Sequence, residues 1–259
     1  MNRKKWLALS ALCSLVLLLA LAGCSKKEEA PSETAAPAAA PKAAPIDANT
    51  VATVTGTIKL DGAAPKPKKI DMSQDPACSG GMGMTETVVS EGGDLANVFV
   101  YVKEGLGDRT FDIPKEAVTI DQHGCHYIPH VLGVMTGQTV KILNSDNTTH
   151  NIHPSPKNNK EWNESQAPKG APLEKTFARE EVLLPVKCNQ HPWMKMYVGV
   201  VKSPFFAVSG KDGKFTITGL PPGKYTLAAV HETLGEQTMS VEVGPKESKT
   251  ADFSFKAAQ

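Results

Sequence analysis

The run Cys188-Asn189-Gln190-His191-Pro192-Trp193-Met194 sets a thiol, an imidazole and a thioether within one short stretch, at the spacing Cys-x2-His-x2-Met. Three soft or borderline donors on one loop can converge on a single ion. A thiolate and two imidazoles in a plane, with a weak axial thioether, is the donor set that favours copper. The loop lacks the second imidazole. His150, in Asn144-Ser145-Asp146-Asn147-Thr148-Thr149-His150-Asn151-Ile152-His153, supplies it from just beyond the strand-like Thr139-Val140-Lys141-Ile142-Leu143. The chemistry expected of such a set is one-electron exchange at one copper ion, with His150, Cys188, His191 and Met194 as ligands.

Met196 is the alternative axial ligand, since Cys-x2-His-x4-Met is also a copper spacing. Met194 is preferred because Pro192 and the short-loop pattern precede it. Cys188 could be an inert buried thiol or half of a disulfide, but its position before His191 and Met194 argues for a ligand. His153 reads as a structural or exposed neighbour. His123, His126 and His130 are irregularly spaced around a strand and read as surface or core residues rather than a second metal site, and His231 has no ligand pattern nearby. Zinc rarely recruits Met. A binuclear copper centre needs a second cysteine where Asn189 and Gln190 stand, and Gln122 stands where haem attachment before Cys125-His126 needs one.

The elements that must position these donors are strands. Apolar residues alternate at Val54, Gly56, Ile58; Val98, Val100, Val102; Val140, Ile142; Phe215, Ile217; Tyr225, Leu227, Ala229; Met239, Val241, Val243; and Ala251, Phe253, Phe255. Turn signals separate them, among them Asp61-Gly62, Asp212-Gly213 and Pro221-Pro222-Gly223. Long helical periodicity is missing. The fold class is all-β, built as sandwiches.

The order Gly137-Gln138-Thr139-Val140, Asn144, His150-Asn151-Ile152-His153, then Cys188 to Met194, is similar to that of the small cupredoxins, with a ligand loop like that of amicyanin. The resemblance implies a Greek-key β-sandwich over residues 107–202, a type 1 (blue) copper site, and a role for Asn151 in bracing the ligand loop near the thiolate. Two positions depart from the pattern: Asn189 stands where Ser or Thr is usual, and Pro185 interrupts the strand before the cysteine, which an edge or a bulge would tolerate. Separately, residues 212–227 resemble the carboxypeptidase-regulatory-like (transthyretin-like) sandwich, whose earlier strands look like Val54-Thr55-Gly56-Thr57-Ile58 and Asn97-Val98-Phe99-Val100-Tyr101-Val102. Residues 51–106 and 203–256 are therefore expected to form one discontinuous sandwich with the copper domain inserted in it. Two consecutive domains are the alternative.

The first residues carry Arg3, Lys4 and Lys5, an apolar run, and Leu21-Ala22-Gly23-Cys24. This is a secretory leader over residues 1–23, and its end resembles the lipobox of bacterial lipoproteins, which implies lipidation at Cys24. Ser25 looks like an outer-membrane address, so the expected location is the periplasmic side of the cell envelope. Residues 24–50 are rich in Ala, Pro, Lys and Glu and read as a disordered tether reaching about 75 Å at ~3 Å per extended residue. Of the five cysteines, Cys13 leaves with the leader and Cys24 takes the lipid. With Cys188 on the metal, Cys78 and Cys125 pair by elimination.

With 28 basic and 27 acidic residues and no basic cluster among aromatics, nucleic acid is not an expected partner. No nucleophile elbow, metal-hydrolase motif or carboxylate pair is evident, so an enzyme is not expected. The leading expectation is a membrane-tethered electron carrier whose redox partners dock weakly near His191 and Trp193. An envelope copper scavenger or chaperone is the second reading, and a non-catalytic carbohydrate or adhesion module the third.

Overall fold

The computed structural model describes residues 45–81 and 83–257. The leader, Cys24 and the tether up to position 44 lie outside the described residues. Ile46 packs on an apolar core and the Lys246 N–H donates to the Thr50 carbonyl at 3.1 Å, so the described contacts begin within the stretch read as tether. Among the described residues no helix is long and apolar enough to cross a membrane.

The protein is all-β. The first strands are β1 (Ala52–Asp61), β2 (Ser90–Glu91), β3 (Asp94–Leu95) and β4 (Phe99–Glu104). A middle group follows: β5 (Val118–His123), β6 (His126–Ile128), β7 (Val131–Met135), β8 (Val140–Asn144), β9 (His150–Pro154), β10 (Glu164–Gln166), β11 (Leu173–Lys175), β12 (Glu181–Lys187) and β13 (Lys195–Val201). The last are β14 (Phe206–Val208), β15 (Lys214–Leu220), β16 (Gly223–His231), β17 (Gly235–Val243), β18 (Ser248–Thr250) and β19 (Phe253–Lys256).

Strands from both ends of the chain share sheets. One sheet runs β15-β1-β3-β2, with β18 and β19 added parallel to β1, and a second runs β14-β4-β16-β17. Their inward residues, including Val54, Ile58, Val100, Phe215, Leu227 and Phe255, form one core. The middle strands build the other two sheets, β10-β9-β12-β13-β7 and β11-β8-β5-β6, which enclose a second core around Ile120, Tyr127, Ile142, Ile152, Leu184 and Val198. Alternation at period two explains both, because one face of each sheet meets its partner and the other does not.

A third apolar cluster joins the two sandwiches. Phe99 on β4 and Phe206 on β14 lie against β7 and β13, where Gly133 and Gly199 are paired in register. A Cβ on Gly199 would stand 2.6 Å from the Phe99 ring, and one on Gly133 would strike Phe206. The paired glycines leave a floor on which both rings rest.

Pro185 sits within β12, between β9 and β13, next to a bulge between Glu181 and Leu184 where Leu183 has φ 52°. Pro185 has no N–H to donate, and its carbonyl accepts from the Ser155 N–H at 2.8 Å. The strand before Cys188 therefore stays paired on both sides.

Residues 62–81 and 83–89 form a cap of little regular structure. Lys69 bridges to Met84, and a single 3-10 turn covers Pro76–Cys78, capped by Asp75, whose carboxylate accepts from the Ala77 N–H. Although the cap leaves from β1 and returns to β2, its Met72 and Cys78 are buried in the core of the middle strands. A disulfide joins Cys78 to Cys125, in the turn between β5 and β6.

Candidate metal centre

Pairing of β9 with β12 sets Lys187 opposite His153, which brings the start of β9 beside the end of β12. His150 is the first residue of β9 and Cys188 the first residue after β12. The loop from Cys188 to β13 closes on itself: the Met194 N–H donates to the His191 carbonyl at 2.9 Å and the Cys188 N–H to the Met194 carbonyl at 3.2 Å. Before His150, the Asn144 side-chain amide donates to the carbonyls of Thr148, Gln166 and Ala167, which holds the preceding turn against its neighbours.

This framework gathers His150, Cys188 and His191, with one donor atom from each within 4.8 Å of the others. The three residues are 0 %, 2 % and 4 % exposed. The His150 and His191 Nδ1 atoms are 2.9 Å apart, and Cys188 Sγ is 3.8 Å from His191 Nδ1. Each imidazole turns its other nitrogen to a carboxylate: His150 Nε2 to Asp146 at 2.9 Å and His191 Nε2 to Asp75 at 3.0 Å.

Both carboxylates are themselves held. Asp146 accepts from the backbone N–H groups of Gly124 and Cys125 at 2.7 and 2.8 Å. Asp75 accepts from the Thr148 hydroxyl at 2.6 Å. Burial pushes the Asp146 carboxyl up, but the N–H donors of Cys125 and Gly124 and the His150 ring outweigh it, leaving it below the ordinary carboxylate value. Hydrogen bonds from Thr148 and the Ala77 N–H hold Asp75 low as well. Burial holds His150 below the ordinary imidazole value against the pull of Asp146.

As carboxylates, Asp146 and Asp75 accept at the two Nε2 atoms, which leaves the Nδ1 atoms of both rings facing each other. The two Nδ1 atoms are 2.9 Å apart, and burial disfavours making His150 an imidazolium. The residues therefore fit a metal ion shared by the two Nδ1 atoms and the Cys188 sulfur. A carboxylate behind each ligating imidazole fixes its orientation and raises its basicity.

Asn151 ties the two halves of the centre together. Its Oδ1 accepts from the Asn189 N–H at 2.7 Å and from the Cys188 thiol at 3.3 Å, and its amide donates to Asn163 at 2.6 Å. The Tyr127 hydroxyl donates to the Asn151 carbonyl at 2.6 Å. Met194 and Met196 are both fully buried in the same core as Cys188. Met196 lies within β13 opposite Val186 and alternates inward with Val198 and Val200, whereas Met194 belongs to the closed loop.

The other histidines supply none of the three donors, although His123 Nδ1 lies 3.9 Å from Asp146. His153 meets Asn189 Oδ1 at 3.0 Å and Glu161 at 2.6 Å. His130 pairs with Glu232 at 2.7 Å, His126 faces the Gly124 carbonyl, and His231 accepts from the Thr233 and Leu234 N–H groups. His123 is exposed.

Asp75 and Asp146 are the residues that sequence reasoning missed. Asp146 carries a weak signal, four positions before His150 in the same turn. Asp75 carries none until the Cys78–Cys125 bond brings the cap over the loop. Two further donor clusters result: Asp75, Cys78 and His191, and Cys125, Asp146 and His150, each again within 4.8 Å.

No protein-family model and no curated protein matches the chain. Among solved structures it is similar to a Cu-containing nitrite reductase (NirK) from Thermus scotoductus SA-01, at 21 % identity and TM-score 0.32, covering 38 % of this chain and 25 % of that one. It is also similar to a purple cupredoxin from Nitrosopumilus maritimus, at 26 % identity and TM-score 0.28, covering 32 % of this chain and 98 % of that one. An amicyanin mutant in its Cu(I) form matches at 20 % identity and TM-score 0.30, over 38 % of this chain and 96 % of that one. At such scores these likenesses carry no weight for what the chain binds.

Proposed function

We propose that the protein holds one copper ion through His150, Cys188 and His191, with Met194 as the weak axial donor, and serves as a one-electron carrier in the cell envelope, tethered by lipid on Cys24. The observation that carries this reading is the 2.9 Å approach of two Nδ1 atoms beside a thiol, each ring backed by its own carboxylate. Bound copper would supply reversible cycling between Cu(I) and Cu(II). The chain's part is to keep the donors still through that cycle. Asn151, Asn144 and the two aspartates do so with hydrogen bonds to backbone on both sides of the centre.

Trp193 offers a route outward. Its ring centroid is 5.1 Å from that of His191, its Nε1–H donates to the Cys125 carbonyl, and it is only half-buried beside the exposed Pro192. A redox partner would dock weakly on this edge, through a small interface. One specific observation favours a second reading, copper holding without electron transfer: His191 is buried beneath Asp75 rather than open to a partner.

Reductive titration of the Cu(II)-loaded protein separates the two. A carrier takes up one electron per copper, returns it to a one-electron oxidant and keeps its metal throughout. Slow, incomplete reoxidation with loss of Cu(I) to a competing chelator favours holding.

A further inference from the structure

The Cys78–Cys125 disulfide clamps the cap and also borders the metal centre. One sulfur shares a donor cluster with His191 and Asp75, and the other shares one with His150 and Asp146. Both cysteines are fully buried, and both lie in the core that contains Cys188. Met72 already buries itself in that core, and Asp75 already reaches Thr148 and His191.

We propose that this disulfide is a latent metal site: once reduced, Cys78 and Cys125 bind a second soft monovalent cation, Cu(I) or Ag(I), beside the first. The inference rests on the copper reading of His150, Cys188 and His191 for the identity of the neighbouring ion. The redox step is thiol–disulfide exchange with a dithiol reductant. The reductant's two thiols become a disulfide, and the Cys78–Cys125 bond takes up two electrons and two protons to give two thiols. Binding the cation then releases those two protons, because thiolates are the ligands.

The Cα atoms are 5.5 Å apart, so the two side chains can place their sulfurs on either side of one ion without moving the backbone far. Two thiolates are the ligands a soft monovalent cation prefers. In this arrangement the thiol status of the surroundings sets how much metal the protein carries. The oxidised chain holds one ion and the reduced chain two.

The test is a count of ions per chain. The full-length protein, with its disulfide intact or reduced by a phosphine, is titrated with Cu(I) against a competing chelator and weighed by native mass spectrometry. The expected counts are one for the intact form, two for the reduced form, and one for C78S/C125S under either condition. Cys188→Ser should give none when intact and one when reduced. A reduced wild type that stays at one ion overturns the proposal, as does a second ion that persists in C78S/C125S.

Thermal melts of each form check folding. Should the double variant not fold, C78S and C125S singly must each lose the second ion that reduced wild type binds, and retention in either overturns the proposal. An intact form that binds no ion counts against the copper reading alone. The gain on reduction still decides for or against the latent site.

Discussion

His150 and His191 face each other through their Nδ1 atoms at 2.9 Å, while their Nε2 atoms face away, to Asp146 at 2.9 Å and Asp75 at 3.0 Å. The arrangement has a rough symmetry across the centre. One carboxylate comes from the turn before β9, and the other arrives on the cap from outside the middle strands. Each is anchored near one half of the disulfide, Asp146 on the Gly124 and Cys125 N–H groups and Asp75 on the turn that contains Cys78.

Asp75→Asn and Asp146→Asn should each weaken copper binding by about 10–100-fold, because the amide no longer draws the Nε2 proton and the ring loses basicity and orientation. Competition against a chelator of known affinity measures this. If both variants bind copper as tightly as wild type, the carboxylates do not support the ligands.

Gly199→Ala should destabilise the fold by about 1–3 kcal/mol through overpacking against Phe99. Phe99→Ala should cost about 3–5 kcal/mol by emptying the same junction. Thermal or denaturant unfolding reads both. An unchanged midpoint for Gly199→Ala would mean that the two sandwiches do not rest on each other through this ring.

Glu181 provides a pH dependence with a definite sign. Burial pushes its carboxyl up, but the N–H groups of Lys157, Asn158 and Asn159 and the Asn159 amide outweigh this and hold it below the ordinary value of 4.5. Its contribution is therefore present above the unfolded value and is lost as pH falls through the lower folded value. Glu181→Gln should cost about 1–3 kcal/mol at neutral pH. The gap from wild type should close in acid below the folded value. Denaturant melts across that range should converge at the acid end, and a gap that widens instead would contradict the assignment.

Much of this architecture is legible in the chain. Alternation marks the strands that bury one face, and the donors from Cys188 to Met194 stand together because a single tight loop carries them. Phe99 shows where the pattern stops. Period-two reading of Val98, Val100 and Val102 turns Phe99 outward, toward water, yet it is 0 % exposed because the second sandwich covers it. That contact joins residues a hundred positions apart, and two glycines in register are its only trace on β7 and β13. β9 is nearly silent as well, since Ile152 is its one strongly apolar member.

The cap is the least legible part. Residues 62–89 lack alternation and hold little regular structure, so nothing local shows that Met72 and Cys78 belong to the core of the middle strands. A covalent link across 47 positions joins the cap to that core, and the contacts of Asp75 with Thr148 and His191 hold it there as well. Long-range geometry of this kind leaves no pattern in neighbouring residues.

The central claim is that Cys188 and the two imidazoles hold copper together, and the visible spectrum of Cu(II)-loaded protein tests it most directly. One equivalent of Cu(II) should give an intense thiolate-to-copper charge-transfer band, which Cys188→Ser abolishes and His150→Ala strongly alters. A colourless wild-type protein, or a band that survives Cys188→Ser, would contradict it.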